Sequence, residues 1–302
     1  MNRPPSLKPG DKVAVVCPAS LVPGDISPAF AILREWGLVP IIAPSVTARY
    51  HNFAGNDDLR TADLQEALDN PDIKAIIFGR GGYGTVRIID RLDFKKFQKS
   101  PKWIVGFSDI TVLHSHIQRK YHVPTIHGQM VKSFLEASPE SLETLRDTFF
   151  GKIDNLQYSY SDFAHRQGQG EGILIGGNLA ILQSILGSPS DIKYDNKILF
   201  IEDVGEAHYN IDRMLWTLKR AKKLDKLQGL IVGGFTDLKD KPSNFGQSVE
   251  EIVMDKVKEY NYPVAFGCPA GHISDNRALV LGIEVRLKVQ GNNVEIRYQE
   301  YS

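Results

Sequence analysis

Cysteine is scarce: Cys17 and Cys268 are the only two among 302 residues. Two thiols build no disulfide framework, and the Cys/His spacing of a structural zinc site is missing, so both read as small buried side chains. Neither sign of charge is in excess. Lys plus Arg and Asp plus Glu each total 36, and no basic stripe interleaved with aromatics occurs, which argues against nucleic acid as the main partner. Long apolar runs are also lacking. Val13–Cys17 falls short of the roughly 7–15 residues of a secretory h-region and the roughly 20 of a membrane span. It reads as a buried first strand, and the chain is expected to stay in the cytoplasm with no membrane partner. What is there, 42% hydrophobic and 24% charged residues, is an ordinary globular composition. It suffices for one large α/β domain or about two smaller ones.

Short apolar runs alternate with stretches of helical spacing, the pattern of parallel strands joined by crossover helices. Strands are expected at Lys12–Cys17, Val39–Ala43, Lys74–Phe78 and Trp103–Gly106. The spacing predicts helices over Pro28–Trp36, Asp57–Leu68, Thr85–Leu92 and Thr111–Arg119. Ala75-Ile76-Ile77-Phe78 lacks polar alternation, as a strand covered on both faces does. Residues 151–171 are polar and Gly-containing and read as an inter-domain linker. The expected division is an N-terminal parallel-sheet α/β domain (1–150), that linker, and a smaller C-terminal α/β domain with mixed strands (172–302). In the latter, strands are expected near Ile198–Ile201, Gly229–Val232 and Val264–Phe266, with a helix from Ile211 to about Leu224. Gly291-Asn292, between Ala278–Val289 and Asn293–Tyr298, is a hairpin signal.

Three segments carry chemistry. In Trp103-Ile104-Val105-Gly106-Phe107-Ser108-Asp109 a strand runs into a Gly-Phe-Ser-Asp turn and then a helix. That is the context of a nucleophile elbow, although Ile110 stands where the usual elbow has glycine. Helix capping by Ser108 and Asp109 explains the same residues. Gly79-Arg80-Gly81-Gly82-Tyr83-Gly84 matches G-x-G-x-x-G between strand and helix. Its amides can approach an anion, whether a pyrophosphate or an oxyanion, yet a plain packing turn fits equally, and the loop does not follow the first strand. Glu202, at the end of an apolar strand, needs a partner, and His272 lies in a Gly/Pro-rich loop. In the order Ser108, Glu202, His272 these residues match the Ser-acid-His order of α/β hydrolases. His114 and His116 sit at i, i+2 on a helix and cannot share a metal. His208, near Glu206, is a candidate pocket residue.

Taken together the segments resemble the LD-carboxypeptidase (muramoyltetrapeptide carboxypeptidase) family of serine peptidases, of which microcin-immunity peptidases are a branch. The resemblance spans Leu7-Lys8-Pro9-Gly10-Asp11, Pro18-Ala19-Ser20, the glycine loop, Gly106–Thr111, Gly176-Gly177-Asn178-Leu179, Phe200–Asp203 and Gly271-His272. It implies a two-domain α/β fold with Ser108 as nucleophile, His272 as base and Glu202 as the acid orienting it. The oxyanion hole would be formed by the amides of Gly82 and Asp109. Substrate contacts are expected from Arg80, as a holder of the terminal carboxylate, and from Tyr83, Asn178 and Glu206. The implied reaction removes D-alanine from a muramyl tetrapeptide during peptidoglycan recycling, by a homodimer with neither cofactor nor metal. The alternatives are a microcin-type immunity peptidase acting on a peptidyl-nucleotide, a nucleotide-binding oxidoreductase using Gly79–Gly84, and a degenerate family member that only binds.

Overall fold

The apolar runs of the first half become strands of one six-stranded sheet in the computed structural model, which describes residues 3–153 and 155–299. Strands β1 (Lys12–Val16), β2 (Val39–Ile42), β3 (Ile73–Phe78), β4 (Trp103–Gly106) and β5 (Thr125–His127) pair in parallel. Next come β6 (Leu156–Ser159), β7 (Gly168–Asn178), β8 (Lys197–Val204), β9 (Gly229–Thr236) and β10 (Val264–Ala265). The last are β11 (Leu279–Leu281), β12 (Glu284–Gln290) and β13 (Asn293–Tyr298). One compact unit ends at Ile153 and includes Ser274–Val280; the other runs to Ile273 and resumes at Leu281.

The first unit's sheet has the spatial order β2-β1-β3-β4-β5, with β11 beside β5. Chain direction across the sheet reverses between β1 and β3. In open α/β sheets ligands bind beyond the carboxyl ends of strands at such a reversal, which singles out the loops after β1 and β3. β4 is wholly buried and β3 nearly so, as expected of a sheet covered on both faces. Thr85–Leu92 is not one helix: an α-turn over Thr85–Ile88 passes into a 3₁₀ turn over Ile89–Arg91.

The second unit holds a mixed seven-stranded sheet ordered β10-β9-β8-β7-β12-β13-β6. β7 to β10 are parallel neighbours, and β7-β12-β13-β6 continue antiparallel. Ile175, Leu199, Ile201, Leu230 and Val232 of these strands pack with Ile211, Leu215, Leu218, Ile252 and Val253 from helices. The helix expected at Ile211–Leu224 spans His208–Arg220. It starts early because His208 is anchored through its backbone N–H to Asp240 at 3.0 Å. It stops at Arg220, shortly before Lys222 adopts a left-handed φ of 59°.

The stretch 151–171 is not a slack linker. It contributes β6 and the first residues of β7, paired with β13 and β12. Its glycines mark close backbone approach, since a Cβ at Gly170 would lie 1.8 Å from the Gln228 carbonyl oxygen and one at Gly172 2.7 Å from that of Asn196. The same logic is strongest at Gly176, opposite Phe200 in the β7–β8 ladder, where φ is +133° and a Cβ would stand 1.9 Å from the Phe200 oxygen. Gly176→Ala is therefore expected to destabilise the protein by about 2–4 kcal/mol. A denaturation midpoint unchanged by this substitution would contradict the close β7–β8 approach.

Candidate active site

β4 ends at Gly106, and Ser108 opens a 3₁₀ turn over Ser108–Ile110 that leads into the helix Thr111–Tyr121. Ser108 has φ +63°, a left-handed conformation costing an L-residue about 1–2 kcal/mol. Strain of this kind holds a nucleophile on a tight strand-to-helix turn. Capping does not account for the serine: the residues flanking the turn and the helix are Phe107 and Ile110, and no side-chain cap bond forms at either start. The position of Ile110 explains the missing elbow glycine. Its buried side chain packs on Gly106, the elbow's first glycine, where a Cβ would meet Ile110 Cγ1 at 2.9 Å.

The glycine loop after β3 lies against this turn. A Cβ at Gly81 would stand 3.2 Å from Ser108 Cβ and 3.4 Å from the Asp109 amide nitrogen. Gly82 has φ +100°, and a Cβ there would collide with the Ser20 side chain. Ser20, in the loop after β1, donates its N–H to the Gly81 oxygen (3.2 Å), and its Oγ accepts the Tyr83 N–H (3.0 Å). The loops at the reversal between β1 and β3 are thus laced together beside Ser108. Gly79 has a separate reason, close packing on Cys17 Sγ.

In the second unit Glu202 is fully buried near the end of β8, and its Oε2 accepts from His272 Nδ1 at 2.6 Å. The β8–β9 register shifts between Ile201 and Asp203, and such an irregularity re-aims the side chain it carries. His272 arrives on the loop after β10, which folds back over β9. Ala270 accepts the Gly234 N–H (2.9 Å), and a Cβ at Gly233 would stand 2.4 Å from the Ala270 oxygen. At Gly271, with φ +121°, a Cβ would stand 2.9 Å from Glu202 Cβ, room that only glycine leaves. Burial disfavours the His272 imidazolium, but the Glu202 hydrogen bond, with the charges of Glu202, Asp203 and Asp237, outweighs it and raises the pKa above the usual 6.5. A neutral ring is needed to accept a proton, so a reaction with His272 as base loses rate on acidification, with its acid limb above pH 6.5. A limb at or below the ordinary histidine value would show that Glu202 does not act on this ring.

Asp203 stands behind the pair. Burial and the Glu202 charge push its carboxyl up to about 6, against hydrogen bonds from Val204, Asn178 and Ala180. Asn178 spends its amide inside the protein: Nδ2 donates to Asp203 (2.9 Å), and Oδ1 caps the helix Leu179–Ser184 through the Ile181 N–H (3.1 Å). Glu206 accepts from Asn210 Nδ2 and holds the Lys239 N–H through its carbonyl. Arg80, half-buried, donates to the Leu21 oxygen at 2.5 Å, while Tyr83 is largely exposed. His208 is buried, with Nδ1 2.7 Å from Asp240, an anchor for the helix start. Ser20 and Arg60 are partners of the glycine loop that the sequence does not mark as such. Ser20 lies in the Pro18-Ala19-Ser20 segment, but an arginine on the helix Asp57–Asp69 gives no local sign of burial. Among the described residues no group of three or more His, Cys, Asp or Glu is placed to hold a metal ion. Nor is any helix there long and apolar enough to cross a membrane.

A turn-held serine beside a glycine loop, and a carboxylate-histidine pair on a second sheet, are features of hydrolases that work by acyl transfer. Comparison with known proteins identifies the family. Residues 13–128 match the family model described as LD-carboxypeptidase N-terminal domain, and residues 171–287 the one described as LD-carboxypeptidase C-terminal domain. The chain belongs to the LD-carboxypeptidase family. A probable murein peptide carboxypeptidase of Bacillus subtilis is 33% identical, with 94% of this chain and 91% of that protein covered. A murein tetrapeptide carboxypeptidase of Pseudomonas aeruginosa is 34% identical, covering 90% and 91%. The crystal structure of muramoyltetrapeptide carboxypeptidase from Oxalobacter formigenes superposes with a TM-score of 0.86 at 30% identity, covering 96% of this chain and 99% of that one. The microcin immunity protein MccF, at 22% identity and a TM-score of 0.87 over 98% of both chains, shares the fold.

Proposed function

We propose that the protein is a serine-type LD-carboxypeptidase that releases the terminal D-alanine of muramyl tetrapeptides in cytoplasmic peptidoglycan recycling. The observation that carries this reading is Ser108, held at φ +63° at the end of β4 with the glycine loop packed on it, in a chain of this family. In the proposed reaction Ser108 Oγ attacks the carbonyl carbon of the third residue while His272 takes the hydroxyl proton. The Glu202 carboxylate, 2.6 Å from His272 Nδ1, fixes the tautomer that leaves Nε2 as base and stabilises the imidazolium. The amides of Gly82 and Asp109 hold the oxyanion. His272 then protonates the departing D-alanine nitrogen, and water, deprotonated by the same ring, cleaves the acyl-enzyme.

Arg80 is the proposed holder of the terminal carboxylate, with Tyr83 and Glu206 as further substrate contacts. Asn178, whose amide is bonded to Asp203 and the Ile181 N–H, is better placed to support the acid than to touch substrate. Inverting the leaving residue swings its side chain and carboxylate onto each other's positions, leaving a charged partner unpaired at a cost of several kcal/mol. Mass spectrometry of paired substrates tests this. The L-D tetrapeptide should yield tripeptide and D-alanine, and the all-L analogue should stay intact. Equal cleavage of both would overturn the assignment and favour the peptidyl-nucleotide branch of the family.

A further inference from the structure

The loop that offers the Gly82 amide and the turn that offers the Asp109 amide are separate segments, and a brace of buried charged side chains joins them. Asp109 is 1% exposed, and its Oδ2 accepts the Thr85 N–H at 2.9 Å, at the end of the glycine loop. One residue before Thr85, the Gly84 carbonyl accepts from Arg60 Nη1 at 3.1 Å. Arg60 is 0% exposed, and the same Nη1 donates to the Pro18 carbonyl in the loop after β1. Its Nη2 pairs with Asp57, which Arg87 holds from the far side at 2.9 Å. A Cβ at Gly84 would stand 2.7 Å from Arg60 Nη1, so the glycine lets the guanidinium reach the loop backbone.

Burying an arginine and an aspartate is costly unless their hydrogen bonds fix something in return. A lone buried aspartate could be replaced by an apolar residue if it only filled space. Here the carboxyl grips the loop three residues after Gly82, while the backbone N–H of the same residue is the other oxyanion donor. Resting on the proposed serine mechanism, we infer that Asp109 (through its side chain) and Arg60 are positioning residues that set the distance between the two oxyanion amides. Asp109 fixes the loop to the turn, and Arg60 fixes the loop to the segment after β1.

The brace acts where charge develops in the tetrahedral intermediate and not on the ground-state substrate. Its loss should lower kcat with little change in KM. Asp109→Ala and Arg60→Met are expected to lose about 100-fold in kcat, with KM within about threefold. Asp109→Asn keeps an oxygen for the Thr85 N–H and should stay within about tenfold of the parent. The deciding readout is the inhibition constant of a boronic acid analogue of the tetrapeptide end, whose adduct places an oxygen in the oxyanion hole. Partial unfolding raises that constant and KM by the same factor, so the constant is read against KM. It should rise in parallel with the fall in kcat for Asp109→Ala and Arg60→Met, and stay near the parent value for Asp109→Asn. A fall in kcat with an unchanged inhibition constant would reduce the brace to a stability element and overturn the inference. Should Asp109→Ala and Arg60→Met fail to fold, Arg60→Lys, which reaches only one of the two carbonyls, decides by the same constant: raised supports, unchanged overturns. Ser108→Ala run alongside separates the two readings. If it retains turnover, the serine mechanism falls; if it is inert while the brace variants match the parent, only the brace does.

Discussion

Ser108→Ala is expected to lower turnover of a muramyl tetrapeptide by roughly 10⁴–10⁶-fold while leaving a folded protein. The hydroxyl caps neither the 3₁₀ turn nor the helix after it, so its removal takes away no bond that holds the turn. The alanine variant keeps a Cβ in the left-handed backbone and hence keeps the strain. Ser108→Gly relieves it, because glycine enters that region freely. The glycine variant should be as inactive as alanine and more stable than the parent by about 1 kcal/mol. Activity and stability would move in opposite directions at one residue, as they do where strain serves function. A glycine variant with an unchanged or lower melting temperature would mean that the φ of +63° is not the conformation in solution.

Glu202→Gln should cost about 10⁴-fold in kcat, the scale on which a buried acid behind a catalytic histidine acts. Glutamine keeps the shape but not the charge that stabilises the imidazolium, and it no longer dictates which ring nitrogen carries the proton. The pH profile supplies a second readout. In the parent, Glu202 gives the His272 pKa its largest upward push, against burial. Without that charge only Asp203 and Asp237 oppose burial, and the acid limb of the residual activity should shift to lower pH. Charge and pH dependence are linked in stability as well. A raised His272 pKa contributes stability below the unfolded value near 6.5 that is lost as pH rises through the folded value, and the glutamine variant should show less of this dependence. A variant with a full fall in kcat but an unmoved acid limb would assign that limb to another group.

Much of this architecture can be read from the chain, for reasons tied to periodicity. Lys12–Val16, Ile73–Phe78 and Trp103–Gly106 are strands within a residue of expectation, because covered parallel strands are apolar without alternation. The Gly291-Asn292 turn joins β12 and β13 as its dipeptide signals. The helix Val249–Val257 went unread, although Ser248-Val249-Glu250-Glu251 forms a capping box closed at 2.7 and 3.2 Å. β6 and the start of β7 were misread because glycine carries two meanings. In a linker it brings freedom, and at Gly170 and Gly172 it brings contact with a neighbouring backbone, which depends on a strand distant in sequence. Likewise Gly233 and Gly271 clear the path of the His272 loop, a requirement visible only once β9 and β8 lie side by side. Of the candidate site residues, the glycine loop, Ser108, Glu202 and His272 stood out as segments. The buried partners did not, since burial of Arg60 and the register shift at Glu202 are products of tertiary packing.

The measurement closest to the central claim is peptide mapping of the protein quenched within milliseconds of mixing with an L-D muramyl tetrapeptide. A muramyl tripeptide acyl group is expected on the peptide containing Ser108, appearing together with free D-alanine and absent from Ser108→Ala. Release of D-alanine with the acyl group on another residue, or undiminished release from Ser108→Ala, would contradict it.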